Sequence, residues 1–293
     1  MTRFLAEPSL FPARVAGETF GTLAVDIELA GEVFRVDGLS PAQVRSIEER
    51  YGSRPRRDMQ SGDLVAALRT MRVRETEFVP VDTRGWEYEV DLAWDEEGFA
   101  LSGMNVMARV DGNRGGLWTC VDDQAAFWGV LENVLRPWLA ARLLARGGLL
   151  VHSAAVSGFL FAGVSGSGKS TIARMGVEAG LPVSSDDLNA VRGGNIVPLP
   201  FTGDLTEQEL HGHAIPLRAI VALEKGHGEE VRAMSVAEAA SLLVRCAPYV
   251  NSDAHHSGEL LVAAHELARG VPGLVLTFRP GADVWPILLD RTA

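Results

Sequence analysis

Residues 163–170 read Gly163-Val164-Ser165-Gly166-Ser167-Gly168-Lys169-Ser170, a G-x-x-x-x-G-K-[ST] pattern. This spacing constrains the chain more than any other feature, because the loop functions only between a strand that feeds it and a helix that leaves it. Both are legible: apolar Phe159-Leu160-Phe161 precedes the loop, and Lys169 to Ala179 carries apolar residues at helical spacing. Glycines let such a loop wrap so that backbone N–H groups face phosphate oxygens. The helix N-terminus adds partial positive charge. Lys169 is placed to reach the β and γ phosphates as a point charge, and Ser170 to put its hydroxyl on Mg²⁺. The basic composition sharpens Lys169. The chain has two lysines, Lys169 and Lys225, so 25 of its 27 basic residues are arginine. A chain that uses arginine nearly everywhere keeps lysine where a bulkier, planar guanidinium fits poorly.

A second constellation is Ser184-Ser185-Asp186-Asp187, at the end of a short apolar strand from Pro182. A helix of about ten residues and a tight turn bring Asp186 back beside the loop. One carboxylate there can hold Mg²⁺, and the other can accept the proton of an attacking hydroxyl. The plainer alternative is a helix N-cap with a solvated neighbour. His152 follows the apolar Leu149-Leu150-Val151 stretch. It can hydrogen-bond one of the aspartates and tune its proton affinity, although a structural histidine is the simpler reading of the residue alone. Pro200-Phe201-Thr202-Gly203-Asp204 suits a turn at the mouth of the site. Arg218 and Arg279 flank later strands, where they can face a transferring phosphoryl group or form surface ion pairs.

The rest of the chain reads as two parts, a small α+β domain over residues 1–120 and an α/β domain over 121–293. In the first, Thr22 to Val36 alternates with Leu23, Val25, Ile27 and Leu29 on one face. Ser40-Pro41-Ala42-Gln43 is a capping box with proline in the first turn, and Gly52 is a stop. Strands are expected between Trp86 and Val110, and a turn-rich break at Asp111 to Gly116. A long amphipathic helix then runs from about Asp123 to Arg146, with Pro137 expected to kink it. Beyond the loop, strands are expected at Leu217–Leu223 and Leu274–Phe278, and helices from a capping box at Ser235 to Cys246 and over Ser257–Arg269. The alternation of strands and helices predicts a layered α/β domain with a mixed sheet.

Composition excludes several classes. With 47% hydrophobic and 22% charged residues the chain is globular rather than disordered. A net charge of −11 disfavours nucleic acid as a partner. No stretch has the roughly 20 apolar residues of a membrane span, and the N-terminus does not read as a signal peptide. The expected compartment is therefore the cytoplasm. Cys120 and Cys246 form no CxxC pair. His211, His213, His255, His256 and His265 show no metal-ligand spacing. A homo-oligomer is compatible with the pattern.

Leu149-Leu150-Val151-His152, the strand into Gly163–Thr171, Ser185-Asp186-Asp187 and Pro216-Leu217-Arg218-Ala219-Ile220 together resemble the catalytic domain of HPr kinase/phosphorylase. The likeness is closer to the HPr-kinase-like proteins of bacteria outside sugar regulation. The helix Phe127 to Arg136, Pro200-Phe201-Thr202-Gly203, and Phe278-Arg279-Pro280 with Trp285 fit that second group. The resemblance spans about Asp123 to Leu289. It implies a P-loop kinase domain of the HPr kinase/phosphoenolpyruvate carboxykinase type, with a mixed sheet. It also implies ATP and Mg²⁺ as cofactors and a serine of a protein or peptide as acceptor. Gly163, Val164, Ser165, Gly166, Ser167, Gly168, Lys169, Ser170 and Thr171 would bind the nucleotide, with Ser170 and Asp187 on the metal. Asp186 would be the general base, Asp187 its partner, and His152 the family's histidine ahead of the loop.

Two other readings remain. The loop resembles that of adenylylsulfate kinase, a small-molecule kinase, but Ser-Ser-Asp-Asp fits that family poorly. A nucleotide-binding sensor with little turnover fits the loop and leaves Asp186 without a role. Neither an LSGGQ segment nor an NKxD motif is present, which disfavours ABC-type ATPases and GTPases.

Overall fold

A computed structural model of the chain describes Phe4 and residues 18–52, 65–80, 90–201, 203–226 and 229–291. The expected strand start at Trp86, the N-terminal stretch read for a signal peptide (apart from Phe4) and Thr202 lie outside the described residues. The fold is α/β with two mixed sheets. Two compact units divide it, residues 1–139 and 140–293. The division falls inside the helix Phe127–Leu144, beyond the 120/121 position read from the sequence.

In the first unit, β1 (Leu23–Leu29) and β2 (Glu32–Leu39) form a hairpin. The alternation expected there places Ile27 and Leu29 inside, while Leu23 at the strand start is exposed. α1 (Pro41–Tyr51) opens on the expected capping box: Ser40 accepts from Gln43 N, and the Gln43 side chain accepts from Ser40 N. β3 (Ala66–Arg72), β4 (Asp91–Trp94), β5 (Gly98–Gly103), β6 (Val106–Asp111) and β7 (Arg114–Thr119) follow. Among the described residues the sheet has seven strands in the order β1-β2-β3-β7-β6-β5-β4, with β2/β3 and β3/β7 parallel. The turn-rich break expected over Asp111 to Gly116 is shorter than read. Arg114, Gly115 and Gly116 are already strand, because both their neighbours, β3 and β6, supply ladder partners. α2 (Phe127–Leu144) continues through Pro137, and Trp138 is buried with its indole N–H bonded to Gly112 O at 3.0 Å.

One ion pair in this unit gives a pH prediction. Arg109 bonds the Asp95 carboxylate, which also accepts the amides of Glu97 and Gly98. The Arg109 bond is the main cause that lowers Asp95 from its ordinary 3.8 to about 2. A carboxylate held below its unfolded value stabilises the fold above that value and loses the contribution as pH falls. Urea unfolding of the parent should therefore lose a component between pH 4 and about 2. Asp95→Asn should lack that component. Since the pair is solvent-exposed, its size should be about 1 kcal/mol or less.

The second unit holds β8 (Leu149–Val156), β9 (Phe159–Ala162), α3 (Lys169–Glu178), β10 (Val183–Ser185), β11 (Leu188–Arg192), β12 (Asn195–Val197), β13 (Ile215–Pro216), β14 (Ala219–Lys225), β15 (Glu230–Met234), α4 (Val236–Cys246), α5 (Ser257–Gly270), β16 (Gly273–Phe278) and α6 (Trp285–Asp290). Its sheet runs β13-β12-β11-β8-β9-β14-β16-β15, with β10 also on β8. β9, β14 and β16 are parallel, so their carboxyl ends share one edge. Phe159, Phe161, Ile172, Val221, Leu276 and Trp285 form the core between sheet and helices. The capping box at Ser235 is formed as expected. Two sequence expectations change. β8 extends to Val156, so His152 lies within a strand rather than after one. Arg218 precedes Ala219, which pairs with Phe159 at the start of β9, and so sits at the strand end away from the loop.

Candidate functional site: a phosphate loop beside an aspartate pair

The loop begins one residue after β9 and closes onto α3. Gly168 caps the helix at φ +110°, a left-handed conformation that a side chain would strain, and a Cβ there would meet the Phe278 ring at 3.1 Å. The first helical hydrogen bond runs from Ile172 N to Gly168 O. The earlier amides, at Lys169 and Ser170, are those a helix start leaves without intrahelical acceptors. Val164, Ser165 and Gly166 are exposed, so the outer face of the loop is open.

Lys169 is 7% exposed, and its ammonium donates to Gly163 O at 2.9 Å and Val164 O at 3.1 Å. Burial lowers its pKa, opposed by Cys246 and by the negative charge of Asp187. A buried cation bonded to two neutral carbonyls, with no carboxylate in direct contact among the described residues, is an arrangement that an anionic group would complete. Behind the loop, the Cys246 thiol is bonded by the Gly163 backbone, and burial is the main cause that raises its pKa. Cys246 is a neighbour of the loop that the sequence does not announce, since it arrives from α4 with no local motif, and Phe278, read as a strand end, packs against Gly168.

The aspartates arrive by β9–α3–β10. β10 pairs with the end of β8 at Ala155 and Val156, and β11 pairs with its beginning at Leu149 to His152. Asp186 and Asp187 occupy the interruption between them. Ser153 of β8 joins the halves of the site: its amide donates to Asp187 O at 2.9 Å, and on its other side it pairs with Ala162, the residue before Gly163. Two strand spacings, about 10 Å, thus separate the backbone of Asp187 from the start of the loop.

The carboxylates have different surroundings. Asp186 is 3% exposed; one oxygen accepts Gly203 N at 3.1 Å and the other Asp204 N at 2.8 Å. A Cβ at position 203 would lie 2.9 Å from both oxygens, so glycine is what lets this turn approach. The turn at Gly203-Asp204 is therefore bonded directly to Asp186. Each Asp186 oxygen retains a second acceptor direction. Asp187 is less buried and faces His152, whose Nδ1 lies 3.1 Å from the carboxylate. Of the two aspartates, it is Asp187 that His152 contacts. Arg279 directly follows β16 at the same sheet edge as the loop, but pairs with Glu229 at 3.5 Å.

Mg²⁺ is usually held by one or two protein oxygens and the substrate's phosphates. Ser170 and Asp187 carry oxygen donors of that kind. Among the described residues no group of three or more His, Cys, Asp or Glu side chains could hold a metal ion. His256 contacts Asp253, and the His211 and His213 rings pack 5.4 Å apart. Among the described residues no helix is long and apolar enough to cross a membrane.

No protein-family model matches this chain, and no curated protein matches it.

Proposed function

We propose that this chain is a nucleotide- and Mg²⁺-dependent kinase that transfers a phosphoryl group to a serine hydroxyl of a protein or peptide. In this reading it is an HPr-kinase-like enzyme of the cytoplasm, and residues 121–293 carry the catalysis. The carrying observation is that Ser153 bridges Asp187 on one side and the strand of the phosphate loop on the other. A nucleotide-binding loop needs no such neighbour; a phosphoryl-transfer site does. The loop amides at the start of α3, those of Lys169 and Ser170, and the Lys169 ammonium hold the phosphates. Ser170 and Asp187 would hold Mg²⁺ together with the phosphates, and the bound ion would supply neutralising charge beside the transferring group. His152 fixes the orientation of Asp187. Asp186, held by the amides of Gly203 and Asp204, takes the serine proton as the serine oxygen bonds to the γ phosphorus. The bond from that phosphorus to the bridging oxygen breaks, and the diphosphate leaves.

Incubating the protein with γ-labelled ATP, Mg²⁺ and a cell lysate should move label onto serine in a protein or peptide. Label only in metabolites would make it a small-molecule kinase. Tight ATP binding with no transfer would make it a sensor.

A further inference from the structure

The sheet of the first unit contains a place where its order of assembly reverses. β1, β2 and β3 lie side by side; the chain then crosses to the far edge, and β4 to β7 return until β7 meets β3. β3 and β7 are parallel, so their carboxyl ends open on the same side. The chain after β3 leads to the far edge, and the chain after β7 leads to α2. Diverging connections at such a switch point leave a crevice, the usual place for a ligand in an open α/β sheet.

A cleft of about 970 Å³ opens there, and all its lining residues belong to the first unit. This is the size of a full ligand site. Apolar side chains form part of its floor: Trp118 is buried, and Val73 and Cys120 pack on the cluster of Met71, Phe78 and Met107. Its rim carries the carboxylates of Glu18, Glu75, Glu77, Asp122 and Asp123 against the guanidinium groups of Arg72 and Arg74. Arg74 is paired with Glu77 at 3.2 Å, and Arg72 lies over the Phe20 ring at 5.6 Å. Asp122 accepts from Ser40 Oγ, and Asp123 from the amides of Ala125 and Ala126. Glu18 and Glu75 are exposed, and their side chains hold no hydrogen bond or ion pair among the described residues.

We infer that this cleft binds a polypeptide segment that presents basic side chains on an apolar stretch. The apolar part of the floor takes the stretch, and Glu18 and Glu75 take the cations. A polyanion such as a nucleotide would instead meet five carboxylates against two guanidinium groups, an unfavourable match. The inference does not depend on phosphoryl transfer, and its test contains no nucleotide.

The full chain is titrated with a fluorescent peptide rich in alanine, leucine and lysine, and with the same peptide carrying glutamate for each lysine. The lysine peptide should bind, and added salt should weaken it. The double variant Glu18→Gln with Glu75→Gln should bind it at least ~10-fold more weakly, because rim carboxylates are exposed and easily replaced without unfolding. Cys120 is partly exposed in the cleft and Cys246 is buried, so maleimide labelling reads the cleft directly. Bound lysine peptide should protect Cys120. Equal binding of the glutamate peptide, parent affinity in the double variant, or undiminished Cys120 labelling would each overturn the inference.

Discussion

Lys169→Met is expected to lower phosphoryl transfer by ~10²- to 10³-fold, the scale of losing one preorganised charge at a transition state. MgATP affinity should fall at least ~10-fold, as for a lost charge-assisted hydrogen bond. The melting temperature should not fall. This last expectation follows from the direction of the Lys169 shift. Burial is the main cause that lowers its pKa from 10.5, so the folded chain binds that proton less tightly than the unfolded chain. Below 10.5 the charge therefore works against folding, and stability rises with pH from the lowered folded value up to 10.5. Methionine removes that penalty while filling a similar volume, which offsets the bonds lost at Gly163 O and Val164 O. Activity assays and thermal unfolding of the same preparation check both halves. A variant that loses transfer because it unfolds would show a lower melting temperature, and would not support the role given to Lys169.

Asp186→Asn should cut transfer by at least ~10²-fold, the scale of a lost general base, with nucleotide affinity kept. The surroundings of Asp186 make a control necessary. Its two oxygens accept the amides of Gly203 and Asp204. Asparagine would turn one acceptor into a donor facing an amide, at ~1–3 kcal/mol for the buried mismatch. Loss of transfer can then come from a displaced turn. Gly203→Ala separates the effects: its Cβ would press on both Asp186 oxygens at 2.9 Å, so it disturbs the same turn but leaves the carboxylate. A base role predicts that Gly203→Ala keeps a pH-dependent rate which Asp186→Asn lacks. Equal loss in both variants, with no pH dependence left in either, would reduce Asp186 to a support for the turn.

Much of the second unit was legible because its signals are local. The loop, the helix after it and the capping box at Ser235 each declare themselves within a few residues. That His152 could bond one of the aspartates was legible as chemistry, but which one, and its placement, were not. The apolar stretch was read as ending at Val151, whereas Ser153 to Val156 are buried strand that the small residues Ser153, Ala154 and Ala155 conceal. The same blindness hid β7, where Gly115 and Gly116 read as a turn although their neighbours supply the ladder. β11 and β12 went unread because they are short, and the turn between them is Gly193-Gly194. For Arg218 the sequence leaves a phosphoryl contact and a surface ion pair open; only the register of β14 with β9 places it at the strand end away from the loop. The hold of Gly203 and Asp204 on Asp186 spans 17 and 18 residues and has no periodicity to announce it.

Calorimetric titration of ATP into the parent chain and into Lys169→Met, each with and without Mg²⁺, bears most directly on the phosphate loop. The account predicts saturable binding to the parent that Mg²⁺ strengthens, that ADP competes and adenosine does not, and that Lys169→Met weakens at least ~10-fold. Binding that adenosine competes as well as ADP, or that Lys169→Met leaves unchanged, would contradict it.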